Sequence, residues 1–286
     1  MTFWIVQALN SLSLGGLLFL LSSGFSLIFG LMRIANLSHG AFFMLGGYIG
    51  LSALRSGLNF WAAVAIGGLA VAILGGLIER LLLRRLNDRP LAQVLVTLGF
   101  TFIIADLCLM IWSGDPVRVP SPPGTAGVIR VMGAAFPLYR VAVLLIGLVV
   151  AVLLWGLIER TRLGAMIRAG VDDMAMARAV GIPASTLFSI VFALGAFLAG
   201  AGGMLGAPIL SLYPGLDTDM LPLALVVVIL GGVGSLAGAF VASFAIGFVY
   251  TFGQALVPDL AYVVLFLPMV LVLALRPSGL FGRQLL

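Results

Sequence analysis

Lysine is absent from the chain. With it go two kinds of chemistry, a Walker-type phosphate loop and a Schiff-base enzyme, because each needs a Lys amine. Cysteine occurs once, at Cys108 inside an apolar run, which leaves no disulfide framework and no cysteine metal cluster. The only histidine is His39, so the usual zinc sites and catalytic triads are excluded as well. No catalytic residue, metal site or cofactor is expected. Charge is equally scarce: 9% of residues are ionic, against about 25% in soluble domains.

In their place stand apolar residues, 62% of the 286, and 37 glycines. Glycine at this level exceeds the usual ~7%, and small residues are what let membrane helices approach closely. The chain therefore reads as all-α, a polytopic transmembrane helical bundle forming one domain over 1–286. Apolar runs fall at about 9–31, 41–54, 60–78, 91–112, 138–158, 184–205, 220–230, 239–256 and 262–275. Two of them are short, which gives roughly eight to ten spans. The first run lacks a basic leader and is longer than a signal core, so it is expected to be a retained span. A Pro- and Gly-rich stretch, 113–137, is expected outside the bilayer and is too short for a domain.

The arginines give the orientation. Arg80, Arg84, Arg85 and Arg89 form one cluster and Arg160, Arg162, Arg168 and Arg178 another, each after an apolar run. Arg33, Arg276 and Arg283 fall on the same side, and Arg55, Arg118, Arg130 and Arg140 on the other. The positive-inside rule then puts the clusters in the cytoplasm, the N-terminus outside and the C-terminus inside. The net charge of +5 belongs to this orientation, since no extramembrane segment is large enough to bind nucleic acid. Gly-Leu-Ile-Glu-Arg occurs at Gly76 to Arg80 and again at Gly156 to Arg160, a weak sign of equivalent positions on one face.

The second cluster contains a short helix. Asp172 or Asp173 can cap it, Met174 to Val180 are strong helix formers, Gly181 suits the left-handed position, and Pro183 blocks continuation. Its Met and Ala side chains make a small adaptable surface. Two readings stand: the helix seats in a groove on a partner, or it lies on its own protein.

Polar breaks interrupt the apolar runs at Asn36, Ser38, His39 and Gly40, and again at Gly231, Gly232, Gly234 and Ser235. Broken or re-entrant helices of this kind free backbone groups to line a translocation path; tight turns at the membrane surface are the other reading. His39 is expected near the cytoplasmic boundary in a hydrogen-bonded structural role. Asp217 and Asp219 are expected in an outer loop. Asp106 is the one acid well within a predicted span, either an ion site or a hydrated position beyond the bilayer centre. A transport subunit driven by a separate partner fits these features; an ion-coupled secondary carrier would want paired intramembrane ionisable groups.

Five ordered stretches carry a resemblance over nearly the whole chain. They are Leu9-Asn10-Ser11-Leu12; Asn36 to Gly40 with Met44-Leu45-Gly46-Gly47-Tyr48; Thr161 to Gly164 running through Arg168-Ala169 to Gly181-Ile182; Gly231 to Ser235; and Arg276 to Gly282. Together they resemble the branched-chain amino acid permease subunits of ATP-binding-cassette importers, of the LivH type. The resemblance implies a bacterial inner-membrane permease with a second permease subunit, identical or related, two cytoplasmic ATPase subunits and a periplasmic solute-binding protein. It implies a coupling helix within 160–183, with Gly164, Arg168, Ala169, Asp172, Asp173, Ala177 and Gly181 as coupling residues. Leu37 and Ser38, and Pro222, Leu223 and Ala224, depart from the family pattern. Those departures keep urea, short amides, other amino acids and small aromatic acids open as cargo beside branched-chain amino acids. A membrane-impermeant thiol reagent should reach a reporter cysteine placed within 160–183 only after the cells are opened; labelling of intact cells would reverse the orientation.

Overall fold

The computed structural model describes residues 2–86, 89–131 and 133–282. Arg283, assigned above to the cytoplasmic side, lies outside the described residues. The helices are α1 (Thr2–Met32), α2 (His39–Arg55), α3 (Phe60–Leu81), α4 (Pro90–Trp112), α5 (Leu138–Arg160), α6 (Arg162–Asp172), α7 (Met174–Ala179), α8 (Ala184–Leu210), α9 (Leu216–Gly231), α10 (Leu236–Leu256) and α11 (Ala261–Leu275). Seven of them, α11 taken with the turn Pro258–Leu260 before it, are long and apolar enough to cross a bilayer. α2 and α9 are shorter, and each is preceded by an unwound segment described below.

The local signals are ordinary. Asn59 caps α3 through the Ala62 amide, Thr161 caps α6 through the Gly164 amide, and Asp173 caps α7 through the amides of Ala175 and Met176. Gly181 takes a φ of 89° just beyond α7, the left-handed position anticipated for it. Between α4 and α5 a two-stranded hairpin, β1 (Val128–Val131) and β2 (Ala134–Pro137), pairs Val128 with Pro137 and Val131 with Ala134. Phe136 and Ala134 are buried beneath it, so this stretch is an ordered cover at the arginine-poor end, where an irregular loop was expected.

The helices arrange in two layers. In α1 and α8, 89% and 72% of the most apolar window is buried, against 22% in α4 and α5 and 11% in α11. So α1 and α8 form the centre, and the others turn exposed Leu, Ile, Val and Phe side chains outward, as a lipid-facing wall should. Without a hydrophobic drive between helices in lipid, that centre is held by close approach. Gly24 of α1 faces Gly195 of α8, where a Cβ on Gly24 would stand 2.6 Å from the Gly195 carbonyl oxygen. Gly16 meets Gly147 of α5, Gly46 meets Gly200, and Gly67 of α3 meets Gly46. Much of the glycine excess is therefore spent on close backbone contacts such as these four. Gly24→Ala should overpack the α1–α8 seam and cost about 1–3 kcal/mol, read as a lower midpoint of detergent-induced unfolding; an unchanged midpoint would show that the seam has slack.

Candidate functional site

α1 ends at Met32, and Arg33 takes a φ of 55° to turn the chain back. The next residues climb into the bundle instead of skirting its surface. His39 stacks on Phe25 at 5.2 Å, and its Nε2–H donates to the Leu21 carbonyl at 2.9 Å. Phe25 and Leu21 lie 7 and 11 residues before Met32, so α2 begins about 10–16 Å inside the arginine-rich end. This corrects the placement of His39 near the boundary. The misplacement came from treating residues 34–38 as a surface loop.

The unwound backbone of this break finds side-chain partners inside the bundle. The Leu37 amide donates to Thr97 Oγ1 at 3.2 Å, and Thr101 Oγ1 donates to the Leu37 carbonyl at 3.1 Å. Both threonines belong to α4. Asn36 Oδ1 accepts from the Ser38 amide at 3.1 Å and from the Ser38 hydroxyl at 2.6 Å. Irregular backbone at membrane depth survives only with such internal partners.

A second break meets the first. Leading into α9, Leu212 lies against Gly47 of α2, and Asp217 lies against Gly40, where a Cβ would stand 2.5 Å from the Asp217 carbonyl oxygen. The chain therefore descends along α2 before α9 starts, and α2 and α9 begin side by side and run to opposite ends. Each has 17 or 16 residues, about 25 Å of helix against the ~30 Å of a hydrocarbon core. Two helix N-termini, each with partial positive charge and free amides, converge inside the bundle. Around them Asn36, Ser38 and His39 are buried, and Asp217 is 3% exposed. Asn36 Nδ2, His39 Nδ1 and one Asp217 carboxylate oxygen have no hydrogen-bond partner, an arrangement a packed core avoids. Asp217, expected in an outer loop, is thereby corrected to the first turn of a buried helix. Its only signal in sequence was an acid at a helix start, which exposed helices share.

The glycine break has a different place. Gly231 packs on Gly238, Gly234 packs on Gly30, and Ser235 Oγ caps α10 through the Gly238 amide at 3.0 Å. The C-terminal turn closes over it, with the Leu280 amide donating to the Leu230 carbonyl at 2.8 Å and the Phe281 amide to the Gly231 carbonyl at 3.0 Å. Gly232 holds a φ of 98° directly beneath that turn. The structure thus sets the two polar breaks at opposite ends of α9 and does not join them in one cavity. Gly234 and Ser235 instead line a groove of about 1360 Å³ at the arginine-rich end, together with Arg33, Trp155 and Arg168.

At that same end α6 and α7 fold back under the bundle. Gly164 touches the carbonyls of Leu157 and Ile158 with no space for a Cβ, which lets α6 double back on α5. Arg168 braces the turn through the Ile158 carbonyl and an ion pair with Glu159 at 3.4 Å; exposure of both partners limits the pair to about 0–1 kcal/mol. Gly170 packs on Leu31 and Leu187, and Ala177 is buried, so one face of the pair lies on α1 and α8. Ala169 is half-buried, and Asp172, Asp173 and Gly181 are exposed. On the other face Met176 is 62% and Val180 70% exposed; Met176 belongs to the Met and Ala surface anticipated for this helix, and Val180 adds to it.

The repeated Gly-Leu-Ile-Glu-Arg splits in use. Glu79 is buried and accepts from Ser189 of α8, whereas Glu159 is exposed beside Arg168. Asp106 is exposed on α4 and takes no part in the buried junction. At the arginine-poor end a separate cavity of about 420 Å³ contains Arg140 and Asp219, neither of which was singled out in the sequence as a site residue.

This is the architecture of a multi-pass membrane protein with a broken-helix interior, the class to which transport permeases belong. The chain matches the model of a family described as branched-chain amino acid transport system / permease component over residues 7–273, and it belongs to that family. It is 26% identical to the high-affinity branched-chain amino acid transport system permease protein BraD of Pseudomonas aeruginosa, over 98% of this chain and 96% of the relative. It is 24% identical to the corresponding permease protein LivH of Escherichia coli, with the same coverage of 98% and 96%. The fructose import permease protein FruF of Bifidobacterium longum is 24% identical over 77% of this chain and 61% of its own length. No solved structure matches the chain.

Asn36→Ala should remove the acceptor that holds Ser38 and leave two donors unpaired in the interior. A loss of about 1–3 kcal/mol is expected, measured as a lower melting temperature of the purified protein in micelles; a wild-type melting curve would remove Asn36 as the anchor of the break.

Proposed function

We propose that this chain is the permease subunit of an ATP-driven importer in the bacterial inner membrane, carrying a small polar solute inward, in the first instance a branched-chain or related amino acid. It would work with a second permease subunit, two cytoplasmic ATPase subunits and a periplasmic solute-binding protein. The observation that carries this reading is the exposed apolar strip of Met176 and Val180 on the short helix pair at the arginine-rich end. Water-exposed methionine and valine on a helix too short to enter the bilayer match a groove on another protein. The chain has no lysine with which to bind nucleotide by the usual loop, which suits an energy source on a separate subunit.

The two faces of α6 and α7 reconcile the readings left open by the sequence. One face rests on α1 and α8, and the other is free for an ATPase. Force applied to the free face passes through Gly170 and Ala177 to the two central helices. Names among the relatives support amino acids first and leave sugars in view, because one relative is called a fructose import permease. Urea, short amides and small aromatic acids stay on the panel to be tested.

The second reading, an ion-coupled carrier, draws on one observation: Asp217 is a buried carboxylate with an unpartnered oxygen beside the α2–α9 junction. Reconstitution separates the two. With its ATPases and binding protein, the permease should drive solute uptake that depends on ATP. Met176→Asp and Val180→Asp should each lower that uptake by about tenfold or more, with insertion and melting temperature retained. Arg168→Glu should lower it as well, through loss of the brace on α5. Uptake by the lone chain under a proton or sodium gradient would sink the importer and support the carrier.

A further inference from the structure

The cavity of about 420 Å³ at the arginine-poor end is lined by α1, α5, α8, α9 and α10, and it lies within the ~300–1,000 Å³ of small-molecule sites. Its chemistry differs from the rest of the bundle. Arg140, in the first turn of α5, and Asp219, in the first turn of α9, both line it. They make no ion pair with each other. Two opposite charges that share a small cavity without touching leave a gap that water or a solute fills.

Each charge has a partner that itself lines the cavity. Arg140 donates to Asn10 Oδ1 of α1, and its backbone carbonyl accepts from Ser13 Oγ at 2.8 Å. One acceptor occupies a single N–H of a guanidinium that has five. Asp219 accepts from the Tyr213 hydroxyl, which ties one carboxylate oxygen to the loop before α9. Leu14, Ile209, Leu210 and Met220 form the apolar part of the lining, beside further polar side chains that include Gln7, Tyr250 and Gln254.

From this arrangement we propose that the cavity is a loading site for a zwitterionic α-amino acid with an aliphatic side chain. The solute carboxylate faces Arg140, its ammonium faces Asp219, and its side chain lies on the apolar wall. An α-amino acid carries both complementary charges on one carbon, so it answers both groups at once. A neutral sugar offers hydroxyls but no charge to answer either group. A plain acid meets Asp219, and a plain amine meets Arg140, each a repulsion in a partly desolvated site. Position agrees with use, because in the proposed orientation this end is where a binding protein delivers solute.

The site rests on the importer reading, and the experiment keeps their failures apart. The full-length chain in lipid nanodiscs is titrated with L-leucine, 4-methylpentanoate, 3-methylbutylamine and fructose at millimolar concentrations, with melting temperature as the readout. Leucine should raise it, and the three compounds lacking one or both charges should not. Arg140→Gln and Asp219→Asn should each weaken leucine binding by about tenfold or more, with Arg140→Lys and Asp219→Glu recovering part of it. In the assembled importer the same neutral variants should raise the KM for uptake and leave most of kcat. Equal binding of the singly charged analogues, or no leucine response, overturns the site, and this arm needs no variant to fold. A wild-type KM in Arg140→Gln and Asp219→Asn, beside ATP-driven uptake by the unaltered importer, overturns the site and leaves the importer standing. Absence of ATP-driven uptake by the unaltered assembly overturns the importer, and leucine binding in nanodiscs is read independently of it.

Discussion

A peptide group inside a bilayer has no water to bond, so an unwound segment there must find every partner within the protein. At the break between α1 and α2, Thr97 and Thr101 of α4 pair with both backbone groups of Leu37, and Asn36 pairs with the Ser38 amide. α4 contributes little else to the centre and turns most of its surface outward. Its threonines make it a splint for a neighbouring chain reversal, and that reversal in turn allows α2 to start deep in the bundle. Once α2 starts there, α9 can start beside it, and each short helix is preceded by its own unwound segment.

The centre that surrounds this junction is unusually close. Gly24 against Gly195 and Gly46 against Gly200 bring backbones together with nothing between them, and interiors at such density switch between arrangements more readily than they stretch. α6 touches α1 through Gly170 and Leu31, and α8 through Gly170 and Leu187. These are the two most buried helices, and both border the junction. The same geometry serves a permease in another way: the polar groups left without partners sit where moving helices could expose them, while the wall facing lipid stays apolar.

Much of the bundle was legible because its signals are local. Apolar runs marked the crossings to within a few residues, Asp173 and Gly181 marked the ends of α7, and the arginine clusters marked one end of the molecule. Two short runs signalled broken helices, since 11 to 14 apolar residues cannot span. Hidden from that reading were the features built from residues far apart in sequence. Asp217 looked like a loop acid because nothing in its neighbours tells of Gly40. Arg140 and Asp219 line one cavity although 79 positions separate them, and each taken alone is an ordinary charge near the end of a span. The 113–137 stretch hid its hairpin because Pro and Gly outweigh the short β-forming runs beside them.

Composition, apolar periodicity and the placement of arginine thus determined, without coordinates, a helical membrane bundle with one end marked by charge, because transfer of residues into lipid depends on each segment's own chemistry. The tertiary structure alone decided which breaks meet, which carboxylates are buried and which face of α7 is free. Those outcomes depend on how helices approach one another, and a glycine permits close approach without naming the backbone that will come.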